Sequence, residues 1–140
     1  MSEEPKLVLL ALTVNSEGSE RLRLDPADSG LQTNPVVLKE GAEYNLGLEF
    51  SVDPGLISQF TYAYVIKRAG SKVDSQQITV GSYGPSPEGK PYKKELPAEE
   101  VPAGVIARSG SYLVHNKILD EDGTVHADFK WSYRIATDWR

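Results

Sequence analysis

Residues 43–53, Glu-Tyr-Asn-Leu-Gly-Leu-Glu-Phe-Ser-Val-Asp, carry the clearest structural signal in the sequence, because apolar and polar side chains alternate through the whole segment. One face holds Tyr44, Leu46, Leu48, Phe50 and Val52, and the other holds Glu43, Asn45, Gly47, Glu49 and Ser51. A period of two is typical of a β-strand with one buried face. Asp53-Pro54-Gly55 then ends the run with turn-forming residues. The segment therefore predicts a strand that packs one face into a core.

Similar short strand patterns, separated by turn residues, continue on both sides of this segment. The further predicted strands are Lys6–Val14, Arg21–Asp25, Phe60–Arg68, Lys72–Val80, Ser111–Leu119 and Val125–Ala136. The predicted loops are Pro26–Pro35, Gly81–Lys90 and Pro97–Gly104. Ala69-Gly70 and Asp122-Gly123 indicate hairpins, the second of type I′. Many short strands with frequent turns predict an all-β, immunoglobulin-like sandwich of about nine antiparallel strands.

Composition narrows the class of protein. A chain of 140 residues with 39% apolar residues is sufficient for one domain with a core. There are no cysteines, which excludes disulfides and cysteine–zinc sites. No apolar run approaches the length of a membrane helix, and residues 1–6 do not resemble a signal peptide. A net charge of −5 without a basic stripe argues against nucleic-acid binding. A cytoplasmic protein, monomeric and not stably inserted in a membrane, is the simplest interpretation.

The sequence offers little support for an enzyme, a metal site or a cofactor. No nucleophile motif or phosphate-binding loop is present. His115 and His126 flank an acidic turn on predicted strands, where a histidine is usually structural or exposed. Asp120, Asp122 and Gly123 are spaced wrongly for an EF-hand. We therefore predict a binding protein without metal or cofactor.

Several stretches resemble the Rho GDP-dissociation inhibitor family, in the same order and with similar spacing from about Pro5 to Trp139. The matching blocks are residues 37–44, 80–85, 99–104, 107–112, 120–123 and 138–139. Of these, Val-Gly-Ser-Tyr-Gly-Pro at 80–85 is the most recognisable. Ser109 is one extra residue relative to the family pattern.

The resemblance implies a domain that holds a prenyl chain, preceded in the family by an N-terminal arm that folds on the switch regions of the GTPase. Here five residues precede the first predicted strand. We therefore expect a short disordered N-terminus at 1–5 and an immunoglobulin-like prenyl-binding domain at 6–140, which would supply the lipid-binding half of the family's function.

The resemblance also implies an apolar pocket between the two sheets. Matched by motif, or by alternation in residues 43–53, its predicted residues are Leu12, Val14, Val36, Leu46, Leu48, Phe50, Leu56, Val114 and Trp131. On pattern alone, an inward apolar residue of a sandwich is usually an ordinary core residue, and only the resemblance favours a lipid pocket. Val36 and Phe129 replace residues that are often Phe and Trp in the family, so we expect a reshaped slot.

A second set of residues is predicted to contact the GTPase. Asp74 and, less strongly, Tyr62 match family positions near that surface. Acidic residues are expected to meet the basic segment next to the prenyl group, although exposed carboxylates are often simply solvated. These are Glu99, Glu100, Asp120, Glu121 and Asp122.

The leading functional hypothesis is a Rho GDP-dissociation inhibitor. Such a protein binds the geranylgeranyl or farnesyl group of a Rho-family GTPase, extracts the GTPase from membranes and keeps it soluble in the GDP-bound state. Two alternatives remain at this point. One is a general prenyl-binding chaperone similar to the phosphodiesterase delta subunit, and the other is a structural immunoglobulin-like interaction domain with a filled core.

Overall fold

The computed structural model describes residues 6–28, 30–53 and 55–139. It contains ten strands and one 3₁₀ turn, Pro87–Gly89. The strands are β1 (Lys6–Ser16), β2 (Ser19–Leu24), β3 (Val36–Lys39), β4 (Glu43–Asp53), β5 (Ile57–Arg68), β6 (Ser71–Tyr83), β7 (Tyr92–Glu95), β8 (Glu99–Glu100), β9 (Ser111–Leu119) and β10 (Val125–Ala136). No helix in the described part of the chain is long and apolar enough to cross a membrane. The predicted N-terminus at 1–5 lies outside the described residues.

The strands form two sheets of five. The first has the order β2-β1-β4-β7, with β8 also pairing with β4, and the second has the order β3-β10-β9-β5-β6. The predicted all-β sandwich is confirmed, but not every pairing is antiparallel, because β3 runs parallel to β10. β8 is a short strand inside residues 97–104, which the sequence analysis assigned to a loop.

A β-bulge in β1 decides which of its side chains face the core. Leu9 pairs with Phe50 and Ala11 with Glu49, so that Leu10 is an extra residue on β1. Before the bulge, Leu7 and Leu9 are buried, whereas after it Leu12 and Val14 are buried. One inserted residue shifts the alternation by one position. The bulge thus keeps leucines on the core side along the whole strand.

Two tight turns show how local chemistry sets the hairpins. Between β5 and β6, Ala69 and Gly70 both have positive φ, of 50° and 82°, as a type I′ turn requires. In the acidic turn between β9 and β10, only Gly123 among the described residues 120–124 has positive φ. The prediction of a type I′ turn there was wrong. Asp120 instead accepts a backbone hydrogen bond from Gly123 and donates one to Thr124, which accommodates a longer loop.

The core is continuous, but its packed aromatic rings form separate groups. Phe50, Phe60, Tyr83 and Tyr92 form a group of mutually packed rings, with centroids 4.8–5.6 Å apart. A second aromatic group, Tyr112, Tyr133 and Trp131, contains a stacked pair with centroids 4.9 Å apart. Because Tyr112 lies at the start of β9 and Phe50 towards the end of β4, the two groups occupy different regions of the core.

Candidate functional site

The predicted pocket residues of the first sheet lie side by side on its inner face. In the pairing of β1 with β4, Leu12 is opposite Leu48 and Val14 is opposite Leu46. Phe50 follows one step further along β4. All five are buried and belong to the core cluster. Cross-strand pairs of this kind form an aliphatic wall.

The second sheet contributes Val114 on β9 and Trp131 on β10, which are direct cross-strand partners. Trp131 is only 3% exposed, and its indole Nε1 has no hydrogen-bond partner among the described residues. A buried N–H without an acceptor is unfavourable, and tryptophan usually finds one. Val114 and Trp131 belong to the same buried cluster as the leucines of the first sheet.

Of three further predicted site residues, Leu56 and Tyr62 lie elsewhere than expected, whereas Val36 packs against the edge of the core. Leu56 is 56% exposed just before β5, beside the acidic turn, and does not join the core. Val36 is half-buried on the edge strand β3, where it packs against the core cluster. Tyr62, expected near the GTPase surface, is completely buried on β5, and its hydroxyl donates to Asn116 Oδ1. Since its side chain faces the core, the structure offers no surface on which Tyr62 meets a partner.

A pocket of about 340 Å³ opens at one end of the sandwich, between the two sheets; we call it the mouth pocket. It is lined by Tyr44, Ile66, Arg68, Val73, Asp74, Glu99, Glu100, Pro102, Tyr112 and Tyr133. Ile66, Tyr112 and Tyr133 are also core residues, so the inner wall of the mouth pocket is the outer layer of the core. Of the predicted contact residues, Asp74, Glu99 and Glu100 are brought together here.

Glu99 connects the two sheets at this end. Its carboxylate accepts hydrogen bonds from Tyr44 on the first sheet, at 3.2 Å, and from Tyr64 on the second, at 2.6 Å. Burial, followed by the charge of Glu99, raises the pKa of Tyr44 above the usual range for a phenol. Burial and the hydrogen bond to Glu99 do the same for the pKa of Tyr64. Both phenols therefore remain protonated donors. Tyr44, Glu99 and Tyr64 thus form a hydrogen-bonded bridge between the two sheets, which we call the Glu99 clasp.

Arg68 is the one cation among the described residues that line the mouth pocket, and it is already engaged. The Arg68 guanidinium donates to the Tyr112 hydroxyl at 3.1 Å and to Ser109 Oγ at 2.5 Å, and lies over the Tyr112 ring. With Asp74, Glu99 and Glu100 nearby, acidic groups outnumber the basic one. The pocket therefore combines aromatic and aliphatic walls with a negatively charged rim.

The remaining acidic candidates lie at the opposite end of the sandwich. Asp120, Glu121 and Asp122 follow the end of β9, whereas Tyr112 of the mouth pocket lies at its beginning. A strand of this length, nine residues, spans about 25–30 Å. The sequence predicted that one basic segment would meet both acidic groups. Their separation is too large for a single short segment to contact both.

Asp120 has an internal role in that turn. Its carboxylate accepts hydrogen bonds from the backbone N–H groups of Asp122 and Thr124, at 2.9 and 3.0 Å, and contacts His126 Nε2 at 2.9 Å. His126 Nδ1 accepts the Leu7 N–H at 3.2 Å, which places the imidazole proton on Nε2. Burial alone would raise the pKa of Asp120, but these hydrogen bonds outweigh it and lower the pKa. His126, which is nearly buried, thus links β10 to β1 and is structural.

Several lining residues were not singled out from the sequence, although a signal existed. Tyr112 and Tyr133 are cross-strand partners at the ends of two strands with clear alternation. Tyr64 and Ile66 occupy inward positions of β5. Their alternation indicates only that they are buried. Their position at the end of the sandwich depends on strand pairing.

The chain is similar in sequence to known proteins along most of its length. The family model described as RHO protein GDP dissociation inhibitor matches residues 1–138. The Rho GDP-dissociation inhibitor of Schizosaccharomyces pombe is 31% identical over 138 residues, which cover 96% of this chain and 66% of that protein. Rho GDP-dissociation inhibitor 1 of Homo sapiens is 34% identical over 139 residues, covering 97% and 67%. The chain thus spans about two thirds of the length of these relatives.

Among solved structures, the C-terminal domain of wzt is similar in fold, with a TM-score of 0.60, 11% identity, and coverage of 94% of this chain and 74% of that one. This likeness concerns the sandwich alone. The family match, which extends over nearly the whole chain, and the identity to the two relatives agree with the blocks recognised in the sequence. The chain belongs to the Rho GDP-dissociation inhibitor family.

Proposed function

We propose that this chain binds the prenyl tail of a Rho-family GTPase between its two sheets and thereby keeps the GTPase in solution in the GDP-bound state. The observation that carries the proposal is the mouth pocket, whose inner wall consists of core residues. A lipid chain entering there would meet Tyr112 and Tyr133 first. Beyond them lie the aliphatic pairs of β1 and β4 and the Val114–Trp131 pair.

The energetics of such binding are favourable only if the chain is fully buried. Burial of a lipid chain contributes about 0.8 kcal/mol per CH₂, so roughly 20 carbons would supply on the order of 10 kcal/mol. A bilayer offers the same chain a similar gain. Removal of the GTPase from a membrane therefore requires a dry slot together with additional protein contacts.

Entry of the lipid would require the sheets to separate at the mouth. In the structure the buried members of the predicted pocket belong to one packed core cluster, and the Glu99 clasp joins the sheets at this end. Two sheets that share mainly apolar contacts can move apart if a ligand replaces those contacts. The prenyl chain would then complete the core, and Trp131 Nε1, which has no partner among the described residues, would lie in the wall of the slot.

The charges at the mouth suit the proposed partner. Asp74, Glu99 and Glu100 would face the basic residues that precede the prenylated cysteine of such a GTPase. The separate acidic turn, with Glu121 and Asp122 exposed, would face a different surface of the GTPase. The proposed role is that of a cytoplasmic regulator that binds its partner and catalyses no reaction.

The test is a binding titration that distinguishes the lipid from the peptide. A fluorescent geranylgeranylated peptide should show saturable binding by anisotropy, and the same peptide without the lipid should not. Val73→Trp, at a 53% exposed position that lines the mouth pocket, should obstruct entry and weaken binding by about tenfold or more.

Val125→Trp is the matched control, because Val125 is 48% exposed on a strand at the other end of the sandwich. It should bind like the wild type. Absence of saturable binding by the wild-type chain would contradict the proposal, and equal effects of the two substitutions would contradict entry at this mouth.

A further inference from the structure

Two aliphatic side chains project from the loop between β8 and β9. Val105 is 74% and Ile106 is 79% exposed, whereas the other exposed large apolar residues in the described part of the chain are between 42% and 56% exposed. We call this pair the apolar tip. Two adjacent aliphatic residues at such exposure are unfavourable in water unless they contact an apolar partner.

The loop that carries the apolar tip is held firmly on both sides. Arg108 Nη1 donates to both carboxylate oxygens of Glu40, at 2.6 and 2.9 Å, and Glu40 Oε1 also accepts the Gly104 N–H at 2.9 Å. The Tyr112 hydroxyl donates to the Ala107 carbonyl at 3.1 Å. Ordered contacts directly before and after the tip show that its exposure is a property of the folded loop.

The apolar tip adjoins the mouth pocket. Pro102 and Tyr112, which flank the loop in sequence, both line the pocket. Arg68, a third lining residue, bonds to Ser109 within the loop. A prenyl group that leaves a bilayer for the mouth pocket would therefore bring the bilayer surface close to Val105 and Ile106.

We propose that the apolar tip inserts into the interface of a lipid bilayer while the mouth pocket collects the prenyl chain. This inference rests on the proposed function and identifies the lipid bilayer as the surface at which the prenyl chain would be transferred. Convex, adjacent aliphatic side chains on a fixed loop are suited to shallow insertion between lipids. The tip would hold the mouth against the bilayer long enough for the lipid to transfer.

The charges around the tip specify the kind of bilayer. Asp74, Glu99 and Glu100 line the mouth pocket, whereas its lining cation Arg68 and the loop residue Arg108 are engaged in contacts within the protein. Anionic lipids would repel this rim. The tip should therefore prefer a neutral phosphatidylcholine surface, unlike membrane-binding segments that rely on basic residues.

The first experiment compares transfer from vesicles with binding in solution. A fluorescent geranylgeranylated peptide is loaded into phosphatidylcholine vesicles, and its transfer to the protein is followed with time. The double variant Val105→Thr/Ile106→Thr should slow transfer by about fivefold, with unchanged affinity for the peptide offered without vesicles. Val8→Thr/Leu10→Thr, which alters two residues exposed at 43% and 42% on β1, should behave like the wild type. An unchanged transfer rate, or an equal loss of affinity in solution, would overturn the proposal.

A second experiment observes the tip directly and does not depend on prenyl binding. Because the chain has no cysteine, Ile106→Cys can be labelled at one site with an environment-sensitive dye. Its emission should shift to the blue with phosphatidylcholine vesicles, and less with vesicles rich in phosphatidylserine, while labelled Leu10→Cys should not respond. No shift at residue 106 would refute bilayer contact even if the peptide binds. A shift without any peptide binding would support the tip and reject the proposed function.

Discussion

Glu99 and Asp120, at the two ends of the sandwich, make different kinds of hydrogen bonds. At the mouth, Glu99 accepts hydrogen bonds from both sheets, through Tyr44 and Tyr64. At the opposite end, Asp120 is used within its own turn and by His126. Sequence analysis grouped both carboxylates as GTPase contacts, because both are acidic and near turns. Their hydrogen bonds indicate that each also stabilises the fold where it lies.

The internal role of Asp120 leads to a prediction about pH. Its pKa is lower in the folded chain than the value of about 4 expected for an unfolded one. Its contribution to stability is therefore fully present above about pH 4 and is lost as the pH falls through the folded-state pKa. Asp120→Asn places an amide opposite the His126 Nε2–H and should cost about 1–3 kcal/mol at pH 7.

Urea unfolding of the wild type and Asp120→Asn at pH 7, 5 and 3 checks this expectation. The difference in unfolding free energy should be largest at pH 7 and 5 and smaller at pH 3. Asp122→Asn is the control, since that carboxylate is exposed in the same turn and should change little. A difference that stays constant over this range would show that the charge of Asp120 does not contribute.

At the scale of one element, β1 shows that a single bulge determines the composition of the core face. Leu10 is the extra residue at the bulge and is 42% exposed. Without it the order Leu7, Leu9, Leu12 would follow a plain alternation, because Ala11 would take the intervening position. A β1 strand without Leu10 would therefore present the same side chains to the core. Adding or losing a residue elsewhere in β1 would instead turn core side chains to the outer face.

Deletion of Leu10 should accordingly be tolerated, with a folded chain and a loss of less than about 2 kcal/mol, since no core side chain changes its face. Deletion of Thr13 should be far more damaging, because either Leu12 or Val14 would turn to the outer face together with its neighbours. We expect a loss above about 3 kcal/mol in that case. Thermal and urea unfolding of both deletions measure the contrast. Similar stabilities for the two would show that the register of β1 is not specified by its alternation.

For the whole molecule, the important arrangement is the separation of two acidic regions by the length of β9. The mouth region contains Asp74, Glu99 and Glu100, whereas the turn at the other end contains Glu121 and Asp122. A prenylated tail that enters the mouth would place its basic residues near the first region only. Under the proposed function, the second region would remain available for the globular part of the GTPase.

This arrangement predicts unequal effects of two matched double substitutions on a geranylgeranylated peptide with a basic sequence. Asp74→Asn/Glu100→Gln, which spares the Glu99 clasp, should weaken binding about threefold to tenfold at low salt, since exposed pairs contribute about 0.2–1 kcal/mol each. It should also reduce the dependence of affinity on ionic strength. Glu121→Gln/Asp122→Asn should leave the affinity for this peptide unchanged.

Anisotropy titrations at two ionic strengths provide the measurement, with a peptide of neutral sequence as the ligand control. The same two variants can then be compared on a prenylated GTPase, for which the second pair is also expected to matter. If the turn substitutions alone weakened peptide binding, the tail would lie at the other end of the sandwich and the proposed orientation would be wrong.

Local patterns in the sequence accounted for much of the candidate site, but only as individual buried positions. Leu12, Val14, Leu46, Leu48, Phe50, Val114 and Trp131 are all buried as alternation or motif matching predicted. The same reasoning misplaced Leu56, which is exposed, and Tyr62, which is buried. Leu56 precedes β5 and lies outside its alternation, whereas Tyr62 occupies an inward position of β5 between the buried Phe60 and Tyr64.

The sequence by itself determined the strand content, the sandwich and the family, because these follow from side-chain periodicity, turn residues and short motifs along the chain. Only the tertiary structure decided the parallel pairing of β3, the bulge at Leu10 and the separation of the acidic groups. It also decided which residues form the mouth pocket, since Arg68, Glu99 and Tyr133 are distant in sequence. The physical reason is that pairing between distant strands, which local preferences do not encode, sets which side chains share an end of the sandwich.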